Sequence, residues 1–202
     1  MKKLLLMGLC LMLIGSGRSG AQEKKTELSE PIRPALMVID VQNAFLPYME
    51  EKERQSAIMV INHVIGLFRE YNHPVIRIYH TDPDWGPKPG TEGFEFPASI
   101  LVKPEDPKII KNYPNAFKKT DLIAYLKEHR INCLFLAGFN AVGCVLATYQ
   151  GAEDLDIQVF MLKQGLIAHD PKYTPMVQEL CSTMDARGIK LILKSLASQV
   201  KK

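Results

Sequence analysis

Asn132-Cys-Leu-Phe-Leu-Ala-Gly-Phe-Asn-Ala-Val-Gly-Cys-Val-Leu-Ala-Thr148 is the stretch on which the fold turns. Cys133 to Ala137 is a short continuous apolar run, the pattern of a strand covered on both faces. A glycine-containing turn follows, and Cys144 then opens a helix that continues to about Asp154. Strand, turn and helix in that order form the unit of a parallel α/β sheet. Backbone N–H groups at a helix start lack partners and favour an anion, and a thiol there tends to a lowered pKa. Cys144 thus reads either as a nucleophile or as a small buried apolar residue, a common role for free cysteine.

Working outward, the same alternation repeats. Ala35 to Val41 is a second continuous apolar run, and Glu50 to Glu70 carries Ile58, Ile61, Ile65 and Phe68 at helical spacing. Pro74 introduces a strand over Val75–Tyr79, and Lys108–Lys111 makes a short third strand. Between them Asp82 to Glu105 is a long Pro- and Gly-rich loop, of the kind that often carries function. Thr120 is an N-cap for a helix with Leu122, Ile123 and Leu126 on its apolar face. Ile157–Leu162 is a fifth strand; Met176, Leu180 and Met184 mark a further helix; Ile189–Leu193 is a sixth strand. The prediction is a single α/β domain: an open, six-stranded, mostly parallel sheet with helices on both faces. Ligands of such sheets bind beyond the carboxyl ends of the strands, where Asp40, His80, Lys111 and Cys144 fall.

The chain has 202 residues and a formal charge of +3. Lys2, Lys3 and Arg18 lie in an acid-free segment, and without them 22 basic residues face 22 acidic ones. No basic stripe points to nucleic acid. Residues 1–21 have the form of an export signal: a basic start, an apolar run from Leu4 to Ile14 too short to span a bilayer comfortably, and small residues up to Ala21. Cys10 lies too early, and follows Leu9 rather than a small residue, for a lipid anchor. The expectation is a periplasmic or secreted bacterial protein, with no membrane association after cleavage near Ala21. Residues 22–34 form a flexible arm and residues 35–202 the domain. Cys133, Cys144 and Cys181 remain in the mature chain, an odd number that leaves a thiol unpaired even in an oxidising compartment. They form no Cys-x-x-Cys pair and no zinc spacing.

Asp40 ends an otherwise apolar strand, so its carboxylate needs a partner or solvent. It is either a general base for the Cys144 thiol or a loop cap. Lys111 can face the same sheet edge, where a cation stabilises a carboxylate and a thiolate alike. Lys103, Lys118 and Lys119 are competitors that spacing does not exclude.

Three segments together resemble the isochorismatase-like cysteine hydrolases. They are Ala35-Leu-Met-Val-Ile-Asp-Val-Gln-Asn-Ala-Phe45, Ile109-Ile-Lys-Asn-Tyr-Pro-Asn-Ala-Phe-Lys-Lys-Thr-Asp-Leu122 and Gly138-Phe-Asn-Ala-Val-Gly-Cys-Val-Leu-Ala-Thr148. The resemblance extends from about Ala35 to Leu193 and implies a Rossmann-like hydrolase fold with a catalytic triad of Asp40, Lys111 and Cys144. It implies a thioester on Cys144, a cis peptide at Phe139–Asn140, and an oxyanion hole made by the Asn140 and Cys144 N–H groups. It also implies a homo-oligomer. Isochorismatases proper cleave a vinyl ether and often lack the cysteine, so Cys144 favours cleavage of a small amide-like C–N bond. Nicotinamidases of the family bind metal through an Asp-x-His and a later histidine. Here Tyr79-His-Thr-Asp-Pro-Asp-Trp-Gly86 lacks Asp-x-His, so no metal and no cofactor is expected, and His80 reads as a loop or pocket-edge residue. Lys163-Gln-Gly165 departs from the family's Asp-Ala at that place. Phe45, Trp85, Tyr113 and Phe117 are candidates for an aromatic substrate pocket, or for ordinary packing. The alternatives are a noncatalytic binding or assembly member of the fold, or a vinyl-ether hydrolase.

Overall fold

The computed structural model describes residues 30–200. The predicted signal segment, and residues 22–29 of the predicted arm, lie outside the described residues. The six strands are β1 (Pro34–Ile39), β2 (Val75–His80), β3 (Lys108–Lys111), β4 (Cys133–Phe139), β5 (Gln158–Ile167) and β6 (Thr183–Met184). They form one sheet in the order β3-β2-β1-β4-β5-β6, and every pair is parallel. The helices are α1 (Glu51–Glu70), α2 (Leu122–Glu128), α3 (Leu146–Glu153), α4 (Tyr173–Leu180) and α5 (Ala186–Val200).

Side chains alternate across a strand, so β1 feeds two cores. Ala35, Met37 and Ile39 pack with Leu122 and Leu126 of α2, Tyr149 and Ala152 of α3 and Val177 of α4. Leu36 and Val38 pack with Ile61, Ile65 and Phe68 of α1 and Ile189 and Leu193 of α5. Both faces are covered, which is why β1 and β4 read as unbroken apolar runs. The first strand starts at Pro34. Asn132 ties down the residues before it, accepting from the Arg33 N–H at 2.8 Å and donating to the Pro31 carbonyl at 3.2 Å.

Two elements differ from expectation. Ile189–Leu193 is the middle of α5, not a strand: Ile189 and Leu193 are buried four residues apart while Leu191 is exposed. The sixth strand is instead the two-residue Thr183–Met184, so Met184 lies beyond α4. In α4 itself Met176 and Leu180 face outward, and Thr174 and Val177 are the buried positions.

The order of strands reverses between β1 and β4, and ligands of open α/β sheets bind beyond the carboxyl ends at such a reversal. Gly138 makes that edge tight. Its φ is +117°, and a Cβ there would stand 2.1 Å from the Ile39 carbonyl oxygen, so only glycine fits. The ends of β1 and β4, and the residues that follow them, are held side by side.

Candidate active site

Each polar side chain of the site is delivered by a strand end. Asp40 follows β1 in the left-handed region (φ 53°), which aspartate tolerates, and its N–H bonds the Ile78 carbonyl at 3.0 Å. The β2–β3 register sets His80 beside Lys111. Along β3, Lys108 and Ile110 are exposed while Ile109 and Lys111 are buried, so alternation turns the Lys111 side chain inward. Its Nζ donates to Asp40 Oδ2 at 2.6 Å and lies 3.2 Å from His80 Nδ1, with Lys111 0% and Asp40 2% exposed. The competing lysines Lys103, Lys118 and Lys119 are all exposed.

The thiol stands against this pair. Ligating atoms of Asp40, His80 and Cys144 all lie within 4.8 Å of one another. That set is also one a metal ion could use, but the Lys111 ammonium is already hydrogen-bonded to Asp40 and in contact with His80. A fixed cation held this close opposes a second, divalent one, so the donor set does not fit a resident metal.

Cys144 lies in the turn Ala141–Val145, which Gly143 takes off the helical path (φ −119°, ψ −106°) before α3 begins at Leu146. Gly143 and Val145 both donate their N–H to the Asn140 carbonyl, at 2.9 and 3.2 Å, and the Phe139–Asn140 peptide is cis. The expected acidification of the thiol is not what this environment produces. Burial first, and then the Asp40 charge, push Cys144 up to about 12, against an opposing pull from Lys111. The resting group is the neutral thiol. Its alkylation rate, read by peptide mass spectrometry, should therefore still be climbing at pH 9. A plateau below pH 8 would show a resting thiolate instead. Cys133 and Cys181 are also free thiols, and burial raises both, Cys133 to about 11.

Cys144 opens onto a cavity of about 210 Å³ whose apolar walls are Phe45, Trp85, Pro114 and Phe139. Asp40, His80 and Asn140 supply its polar lining. Of the four aromatic candidates, Phe45 and Trp85 reach the cavity. Tyr113 does not, and its ring carries Lys118 Nζ at 4.2 Å; Phe117 is part of the core. A larger cavity of about 650 Å³ lies near the amino ends of the strands, by Arg33, Tyr71 and His73, away from the thiol.

From the sequence, His80 reads only as a loop or pocket-edge residue at a strand end and Asn140 only as a backbone N–H donor; their side-chain roles, and Gln42 altogether, carry no sequence signal. Gln42 is fully buried and grips the His80 backbone on both sides: its Oε1 accepts from the His80 N–H at 2.7 Å and its Nε2 donates to the His80 carbonyl at 3.0 Å. Its Nε2 also donates to the Phe94 carbonyl at 2.8 Å, which begins the anchoring of the long loop. Asn43 to Glu92, Asn62 to Ser99 and Arg77 to Pro104 continue it. The preceding turn, residues 82–90, closes largely on itself. Asp82 Oδ1 accepts from the N–H groups of Asp84 and Trp85, and the Gly86 N–H bonds the Asp82 carbonyl. Trp85, on that turn, is 70% exposed and stacks on His80 at 5.1 Å.

A doubly covered parallel sheet with a cysteine beside a buried Lys–Asp pair at its reversal point defines an α/β protein with a candidate nucleophile at its ligand-binding edge. The model of the Isochorismatase domain matches residues 34–192, and the chain belongs to the isochorismatase family. It is 32% identical over 129 residues to YddQ, an isochorismatase family protein of Bacillus subtilis, an alignment covering 59% of this chain and 69% of the relative. The fold is shared with a cysteine hydrolase from Pseudomonas syringae pv. phaseolicola (TM-score 0.74, 15% identity, 82% of this chain and 94% of that one). It is shared too with the N-carbamoylsarcosine amidase of Thermoplasma acidophilum (TM-score 0.65, 24% identity, 74% and 92%).

Proposed function

We propose that this protein is a cysteine hydrolase that cleaves an amide-like C–N bond of a small molecule through a thioester on Cys144. The observation that carries the reading is the buried 2.6 Å contact between Lys111 and Asp40, with the Cys144 thiol within 4.8 Å of the same carboxylate. Taking a lysine and an aspartate out of water is costly, and pairing returns only part of that cost. A purely binding member of the fold has no use for such a pair beside a thiol.

The high thiol pKa makes a base necessary, and Asp40 Oδ1 is free to act as one. In the first step the Cys144 proton passes to Asp40 as sulfur bonds to the carbonyl carbon. The N–H groups of Asn140 and Cys144 receive the oxyanion, whose charge appears only as the bond forms. Collapse breaks the C–N bond, and Asp40 returns the proton to the leaving nitrogen. Water then adds to the thioester, the acid departs, and the thiol is restored. Lys111 holds Asp40 in place through its 2.6 Å hydrogen bond. The segment from Lys2 to Ala21 supports export, so we place this chemistry outside the cytoplasm.

The test is a panel of small amides and ureas assayed for released ammonia, with acid-quenched samples digested for mass analysis. Turnover accompanied by an acyl mass on the Cys144 peptide is expected. Ammonia release with that peptide unmodified would rule out the thioester route. Stabilisation of the fold by a panel compound with no release from any would favour the binding member.

A further inference from the structure

Among the described residues, three buried side-chain polar atoms have no hydrogen-bond partner: Asp40 Oδ1, His80 Nε2 and Asn140 Oδ1. All three belong to residues lining the Cys144 cavity. Buried polar groups are nearly always paired, and those that are not call for an explanation. Three on residues around one small cavity, and none elsewhere among the described residues, mark a set of positions that a ligand completes.

The donor and acceptor character of each atom follows from its neighbours. An ammonium donates and cannot accept. Since Lys111 Nζ lies 3.2 Å from His80 Nδ1, that nitrogen must be the acceptor. The imidazole is neutral, because burial and the Lys111 charge both disfavour its cation, so its single proton sits on Nε2. His80 therefore presents one unused N–H. The Asn140 amide donates through Nδ2 to His169 Nδ1 at 2.9 Å, which leaves its Oδ1 as an unused acceptor. Asp40 Oδ1 is a second acceptor. The lining includes no lysine or arginine, and the one buried ammonium nearby is committed to Asp40 and His80.

We infer that His80 is a specificity-determining donor, and that the site takes small uncharged amides or ureas and refuses their carboxylate counterparts. In the complex before attack, an amide or urea offers its carbonyl oxygen to His80 Nε2–H, ahead of that oxygen's passage to the Asn140 and Cys144 N–H groups as the oxyanion forms, and offers N–H donors to Asp40 Oδ1 and Asn140 Oδ1. A carboxylate in the same place offers acceptors alone and brings a negative charge against Asp40. The Gln42 grip fixes the His80 backbone, so the position of the donor is set before a ligand arrives.

This inference rests on Cys144 being the reacting atom, as proposed above, but it can be tested without turnover. Iodoacetamide and iodoacetate alkylate a thiol by the same chemistry and differ in the amide and the carboxylate. Their rates at Cys144 of the intact chain, each divided by the rate with glutathione, give a selectivity. That selectivity should favour iodoacetamide by about tenfold, the worth of one net hydrogen bond. His80→Leu should lose most of it. His80→Gln should keep it, because one side-chain amide offers both an acceptor for Lys111 and a donor for the ligand. No selectivity in the natural chain would overturn the inference. So would a selectivity unchanged in His80→Leu, which would assign it to the Asp40 charge alone, or a His80→Gln protein that behaves like His80→Leu. A second measurement needs no variant: acetamide or urea should protect Cys144 from methyl methanethiosulfonate, and acetate at equal concentration should not. Equal protection would also overturn it. A silent amide panel beside a His80-dependent preference would count against the hydrolase reading alone. Turnover of carboxylate-bearing amides with no such preference would count against this inference alone.

Discussion

Cys144→Ala is expected to abolish turnover of whatever amide the panel identifies, with kcat falling on the order of 10⁴-fold or more, as removal of a covalent nucleophile does. The same change should leave the fold intact. Cys144 is half-buried at a cavity wall, and losing one sulfur atom there costs about 1 kcal/mol or less. Far-UV circular dichroism and the thermal midpoint separate the two effects. Cys144→Ser should be nearly as inactive, because a hydroxyl in a site that already raises a thiol to about 12 is harder still to deprotonate. Full activity in Cys144→Ala would end the thioester mechanism and return vinyl-ether hydrolysis to consideration, since that reaction does not require the sulfur.

Lys111→Met carries the largest expected effect on stability. The substitution keeps the length of the stem and removes the charge, stranding the Asp40 carboxylate with its Oδ2 partner gone. Breaking a fully buried pair on one side costs roughly 3–5 kcal/mol, a fall in Tm on the order of 10 °C for a chain of this size. The double variant Asp40→Asn with Lys111→Met should recover a good part of that loss, because no buried charge is then left alone and asparagine also tolerates the left-handed backbone at position 40. Both proteins should be inactive. Chemical denaturation of the single and double variants checks the cycle, and strictly additive losses would mean that the two side chains do not act as a pair. In Lys111→Met the Cys144 pKa should move further upward, since Lys111 is the influence now lowering it.

The parts of the fold legible in the sequence are those where one pattern has one physical meaning. β1 and β4 are apolar on both faces, and each run is short, β-branched or aromatic in part and bounded by turn residues, the pattern of a strand covered on both sides in a parallel sheet. Lys111 was legible as a strand end facing the site, but its choice over Lys118 or Lys119 came from the resemblance. The alternation of β3 now supplies the reason. Ile189-Lys-Leu-Ile-Leu193 misled because a short, mostly apolar segment fits a strand and a helix equally. The deciding fact, that Leu191 points to solvent, lies outside the sequence. The thiol pKa misled for a different cause. A helix-start argument counts the backbone and omits the Asp40 charge and the burial that long-range packing brings to Cys144. His80 was legible as a strand end at the ligand-binding edge, but nothing near it in the chain names Lys111, Gln42 or Asn140 as its surroundings.

The turn at residues 82–90 has a consequence for how such enzymes diversify. Its hydrogen bonds run mostly within itself, while the loop beyond Thr91 is fastened to the body of the domain. Trp85, one wall of the cavity, thus belongs to a segment whose exchange removes a stack on His80 but none of the hydrogen bonds that hold Lys111, Asp40 and Cys144. Mutation there is cheap for the scaffold and direct in its effect on which molecules enter. Natural variation or a grafted loop could re-address this protein to a new compound while its reaction stays the same.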